Sequence, residues 1–235
     1  MQDAVVEPGV DPTPAPADGY AVTILMSDAT VDALAAGGFA LQGFAAVRTT
    51  ALDARPLLWF RTEAYAPRTL LTWDMAYRAC TFREDLGGAV TIRAQACYPI
   101  EPGQRLRVSG AAGTGAVFND GEPGLIAIEN DTGRARQAGV AIGAGPIAVA
   151  PVFGGGGVLT FDPQPLVLLE FSTSHREPGQ AVGATTGPGI LLELAEGTSH
   201  AVTFDIDDGF AGEGAGAHVV PAGSALAPLL NAPAP

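Results

Sequence analysis

From Leu71 to Tyr77 large apolar residues alternate with small or polar ones. Leu71, Trp73, Met75 and Tyr77 fall on one set of positions, and Thr72, Asp74, Ala76 and Arg78 on the other. A period of two places each set on one face of a β-strand. Residues 90–95 alternate likewise. Short apolar runs bounded by glycine or proline predict further strands at 20–26, 39–48, 57–61, 105–108, 125–129, 138–142, 147–150, 158–161, 166–172, 190–194 and 201–206. One helical signal stands near the front, where Ser27 or Asp28 can cap a short turn over 30–36 that Gly37-Gly38 stops. Strands this short and evenly spaced predict an all-β fold, a two-layer antiparallel β-sandwich in a single domain.

The pattern fades at both ends. Residues 1–18 read as a disordered, proline-rich acidic tail, closing on Asp11-Pro-Thr-Pro-Ala-Pro-Ala-Asp18. Residues 211–235 read as a flexible Gly/Ala/Pro-rich tail, in which Leu226–Leu230 either docks on a neighbour or forms a short helical turn. The expected folded body is then 19–210, with no internal repeat.

Composition agrees with many strands joined by turns. The 235 residues include 31 glycines and 19 prolines, 47% are apolar and only 16% charged. There is no lysine, so Schiff-base chemistry, a phosphate-loop lysine and a lysine base are all excluded. All 12 basic residues are arginines between Arg48 and Arg176, where 12 acids balance them. The flanks, 1–47 and 177–235, carry six and seven acids and no base, within a net charge of −13. Such ends repel nucleic acid and anionic lipid, so no nucleic-acid partner is expected. No apolar run reaches the roughly 18 residues that span a membrane. The first residues lack the basic and apolar regions of a secretory signal, which makes the cytoplasm the default location, with a non-classical export route as the alternative.

Cys80 and Cys97 flank an apparent hairpin whose turn lies near Gly87-Gly88. With 87–88 as the loop the cysteines are diagonal neighbours on one face. With 88–89 as the loop they face each other directly and can form a cross-strand disulfide. A cytoplasmic setting favours two buried free thiols.

Several residues invite a chemical reading. Asp205, Asp207 and Asp208 form the densest acid cluster. On a strand, Asp205 and Asp207 share a face, where they could ligate calcium or serve as the acid and base of a glycosidase. The plainer reading is a solvated strand end running into an Asp-Gly turn. Ser172, Ser174 and His175 lie together, but no nucleophile elbow surrounds either serine. His200 and His218 read as surface residues, and no spacing matches a zinc site. Gly143-Ala-Gly145-Pro-Ile-Ala148 fits a GxGxxA string, but the residues after it cannot form the helix that a dinucleotide site needs, so it reads as a hairpin turn. Trp59 and Trp73 sit in the most apolar strands and are expected in the core rather than stacked on sugars. No cofactor and no catalytic residue is expected.

The middle of the chain resembles the rhizosphere-induced protein RhiA family of soil and plant-associated bacteria. Three stretches carry the likeness: Leu57-Leu-Trp-Phe-Arg-Thr-Glu-Ala-Tyr-Ala-Pro, then Leu71-Thr-Trp-Asp-Met-Ala-Tyr77, then the run from Gly124-Leu-Ile-Ala-Ile-Glu-Asn-Asp through Gln137-Ala-Gly-Val-Ala-Ile-Gly143 to Val158-Leu-Thr-Phe-Asp-Pro163 and Leu169-Glu-Phe171. Pro178-Gly-Gln180 sits where that family has a similar turn. The likeness covers roughly 55–205 and departs at the alanine-rich front. It implies an accessory protein of quorum-regulated expression near plant roots, and it brings no catalytic residues with it.

Residues and resemblance together lead to a non-enzymatic protein that binds a partner or itself through β surfaces. A carbohydrate- or lipid-recognising module is the alternative, and a hydrolase using Asp205 and Asp207 comes third.

Overall fold

The computed structural model describes residues 5–8, 19–82, 91–212 and 216–232. Its secondary structure is nearly all β, and the described strands lie in three sheets. The first contains β1 (Val5–Pro8), β2 (Gly19–Leu25), β6 (Arg68–Asp74), β16 (Ser199–Asp205) and β17 (Gly209–Gly212), in the order β1-β6-β2-β16-β17. The second contains β9 (Arg105–Val108), β10 (Gly115–Phe118), β11 (Ile126–Asn130), β14 (Gly157–Ser172), β15 (Gly189–Glu193) and β18 (Ala217–Val220), in the order β10-β9-β11-β14-β15-β18. Along β14 this sheet also carries β3 (Ala40–Thr49), which pairs β5 (Phe60–Thr62). The third runs β4-β13-β12-β7-β8, from β4 (Arg55–Pro56), β7 (Tyr77–Phe82), β8 (Ala94–Pro99), β12 (Arg136–Ile142) and β13 (Gly145–Val152). Pairing is antiparallel except between β2 and β16 and between β9 and β11, which run parallel. The expected all-β, sandwich-like architecture is thus built from three sheets.

Alternation decides which side chains meet. Leu41, Ala45 and Val47 of β3 enter the principal core with Val22, Trp73, Ile128 and Phe161, among others. The intervening Phe44 and Ala46 point the other way, against Leu58, Leu168, Val182, Leu226 and Leu230. Burial on both faces explains why β3 reads as a continuous apolar and small-residue run. A third cluster lies outside the third sheet, where Leu57, Cys80, Phe82, Ile92 and Val149 pack together.

The helix forms where its cap predicts. α1 (Asp28–Ala36) begins at Ser27, whose hydroxyl accepts from the Thr30 amide at 3.0 Å. It ends at Gly37, whose Cβ position would fall 2.7 Å from the Phe39 ring.

Four expectations change. The alternation across 71–77 spans two strands, because Asp74 Oδ1 accepts from the Ala76 amide at 3.3 Å and turns the chain out of the first sheet into the third. The runs 158–161 and 166–172 belong to one strand, β14, whose register on β3 shifts between Pro163 and Val167. Proline lacks a ladder donor, so the irregularity falls there. Residues 216–232, expected in a tail, belong to the fold. β18 pairs β15, and α2 (Leu226–Leu230) buries Leu226 and Leu230 in the second cluster. Asn231 Nδ2 donates to the Val47 carbonyl at 2.9 Å and fastens the segment to β3. Within the expected N-terminal tail, Val5–Pro8 pairs β6 as β1.

Candidate functional site

A cleft of about 520 Å³ opens on the outer side of the third sheet. Five segments build it. On β7 and β8, Cys80 and Cys97 pair directly across the ladder, with Cα atoms 4.2 Å apart, and are joined as a disulfide. The facing register therefore holds, and the thiols are bonded rather than free. The turn proposed for this hairpin at 87–88 lies outside the described residues. A register shift at Thr81/Phe82 marks where the ladder becomes irregular.

The second segment is 57–61. Its backbone is pinned by Leu57 N donating to Ile147 O and Leu58 N to Gln180 O, both at 2.9 Å. Leu58 O in turn accepts from the Gly179 amide at 2.7 Å. This brings the turn around Pro178, the third segment, against the cleft, and Ile92 N reaches Gly179 O at 3.0 Å from the fourth. The string 143–148 is the β12–β13 hairpin, with Ile142 opposite Gly145 and Gly143 at φ 59°. Gly145 is required sterically, since a Cβ there would lie 2.6 Å from Trp59 Cδ1 and 2.9 Å from its carbonyl oxygen.

The cleft's lining is apolar on most sides: Trp59, Phe60, the disulfide, Ile92 and Pro146. Two arginines, Arg61 and Arg93, border it, and no carboxylate among the described residues does. Arg61 Nη2 bonds the exposed Glu63 at 2.6 Å, but its buried Nε has no hydrogen-bond partner among the described residues. Gln42, opposite Arg61 on β3 and fully buried, has an equally unpartnered Oε1. Buried polar atoms without partners are uncommon, and an ordered water or a ligand is one way of satisfying them. Both tryptophans are buried at 3% exposure, as expected, and Trp59 packs edge-on to Trp73 at 5.5 Å.

The aspartates are arranged differently from the strand pair the sequence suggests. β16 ends at Asp205, and Asp207 and Asp208 belong to the turn beyond it, so Asp205 and Asp207 do not share a strand face. The Asp207 amide, at 2.9 Å, and the Thr30 hydroxyl, at 3.0 Å, both donate to Asp205 and hold its carboxyl below the usual carboxylate range. Its oxygens tie α1 to the β16–β17 turn. Among the described residues no group of three potential metal ligands gathers, here or elsewhere.

Ser172 Oγ lies 2.6 Å from both Ser174 Oγ and Thr186 Oγ1, and Gln42 Nε2 donates to Ser174 Oγ at 3.2 Å. His175 is exposed and joins none of these bonds, and His218 is exposed as well. The nearby Glu170, which sequence reading passed over, is fully buried. It accepts from Arg176 Nη1 at 3.0 Å and from the Thr186 and Gly187 amides at 2.9 and 3.4 Å. Burial nevertheless pushes its carboxyl above the ordinary range.

The hairpin turn at 143–148 was read from sequence, but Arg61 and Arg93 were not singled out. Nothing local marks them, since Arg61 and Arg93 are 32 positions apart and meet only through the pairing of β7 with β8 and of 57–58 with 147 and 180. Comparison of the chain with protein-family models, with curated proteins and with solved structures gives no match.

Proposed function

We propose that this is a non-enzymatic binding protein whose cleft beside the Cys80–Cys97 disulfide takes a small apolar molecule bearing one anionic group, such as a medium-chain or aromatic carboxylate. The observation that carries this reading is the pairing of apolar walls with Arg61 and Arg93, where Arg61 keeps a buried donor unpaired. An arginine at the edge of an apolar slot selects a carboxylate by charge-assisted hydrogen bonding, while the walls take up the hydrocarbon. Among the described residues no carboxylate lines the cleft to supply general acid or base chemistry. The likeness to the RhiA family points the same way, to an accessory role in a soil- or plant-associated bacterium without catalytic residues.

The lipid side of the recognition-module alternative merges with this proposal. The sugar side has less support, because neither tryptophan exposes a ring face on which a sugar could stack. A hydrolase built on Asp205 has least, since that carboxylate is already engaged by Thr30 and the turn.

Titration with decanoate and with decanol, followed by tryptophan fluorescence, tests the proposal. Decanoate should quench or shift the Trp59 emission and bind at least about tenfold more tightly than the alcohol, with Arg93→Ala removing most of that difference. Equal affinity for the two, or no response to either, rejects the anionic-ligand reading.

A further inference from the structure

Apart from the cleft, one end of the molecule gathers bare apolar side chains. Leu52 is 95% exposed, Phe153 73% and Val158 50%, and all three surround a single hollow between the 50–53 loop and the β13–β14 turn. Scattered exposed apolar residues are ordinary, but three around one hollow, two on loops and Val158 at the start of β14, form a patch. We propose that this end docks on a zwitterionic lipid surface, with Leu52 and Phe153 entering the headgroup–acyl boundary.

Three observations favour lipid over a protein partner or a second copy. The side chains stand on projecting tips, and a fluid bilayer receives a tip without the shape complementarity that a protein interface requires. Two amides of the glycine turn are satisfied from within: Gly155 N donates to Thr132 O at 2.8 Å and Gly156 N to Asn130 O at 3.0 Å. Asn130 Nδ2 in turn holds the carbonyls of Arg134 and Val152 at 2.7 and 3.1 Å. The turn can therefore leave water without stranding these polar groups.

Charge completes the argument. Arg134 is exposed, adjoins the turn at Gly154 and has no ion pair among the described residues, which suits it to a lipid phosphate. The neighbouring acids Glu129 and Asp131 are already paired, to Arg105 at 2.7 Å and Arg107 at 2.8 Å. Asp53 at the tip and the net charge of −13 disfavour an anionic bilayer, so the fitting surface is a phosphatidylcholine-like one.

The test is co-sedimentation of the full chain with phosphatidylcholine vesicles, alongside light scattering across protein concentration. The chain should partition onto vesicles, and Leu52→Ser/Phe153→Ser should lower the partition coefficient by about tenfold or more with an unchanged melting temperature. Val219→Ser, at an exposed valine elsewhere, should leave partitioning intact. The proposal is overturned if the wild type stays in the supernatant, or if the double variant partitions like wild type. It is overturned equally if light scattering reveals a dimer that the double variant abolishes.

Discussion

Glu170 illustrates how one side chain can oppose the fold that encloses it. Two backbone amides and Arg176 favour its charge, but desolvation outweighs them and raises its pKa in the folded protein. A carboxyl raised above its unfolded value contributes stability that is full below the unfolded pKa and disappears as pH rises through the folded one. Relative to Glu170→Gln, the wild type should therefore gain in melting temperature on acidification from neutral pH. Parallel curves for the two proteins would remove Glu170 from the account. Arg176→Ala should cost about 3 kcal/mol near neutral pH, the lower range for leaving a buried charge unpaired because Arg176 keeps some solvent contact. The cost should shrink in acid, where Glu170 takes up a proton, and urea unfolding at two pH values checks it. At Gly145 the constraint is steric. Gly145→Ala should destabilise by about 1–3 kcal/mol and weaken decanoate binding, because the added methyl displaces Trp59 from the cleft wall.

Among elements, β8 depends most on its covalent link. It is the edge of the third sheet and none of its residues is fully buried. It leads directly from the 91–93 segment that walls the cleft, and the disulfide joins it to β7 across 17 residues of chain. Closing a loop of that size restricts the unfolded chain by about 3 kcal/mol. Cys80→Ser/Cys97→Ser should lose roughly that much in urea unfolding. It should also bind decanoate more weakly, whereas full retention of both would show the cross-link to be dispensable. α2 makes the complementary point. It has five residues and no side-chain cap, so it is held by packing rather than propensity. Leu230→Ala should cost about 2–5 kcal/mol by leaving a cavity against Phe44 and Leu168, read as a fall in the denaturation midpoint.

For the whole molecule the excess of acid matters more than any pair. A net charge of −13 on 235 residues sets up self-repulsion in the compact state. Screening relieves it, so the melting temperature should rise when sodium chloride goes from about 0.01 to 0.15 M, where the Debye length falls from roughly 30 to 8 Å. A flat or falling value by calorimetry would mean that the ion-paired row of Arg105, Arg107, Glu129 and Asp131 dominates instead.

The sequence by itself determined the elements. Short apolar runs between glycines and prolines located β2, β9 and the β12–β13 hairpin, Ser27 and Gly37 bounded α1, and apolar strands buried both tryptophans. These signals are local, because side-chain direction in a strand repeats every two residues whatever the strand pairs with. They could not show that Met75 and Ala76 separate two sheets, since the alternation runs straight through the turn. The helical turn offered for Leu226–Leu230 forms as α2, but five residues are too few for a period to show that Leu226 and Leu230 close over β3. Only the tertiary structure decided the cleft. Arg61, Arg93, Gly145 and the facing cysteines come from separate strands and turns, and their meeting depends on register and on which strands become neighbours. Those choices are settled by burial summed over the whole core, which no single stretch of sequence contains.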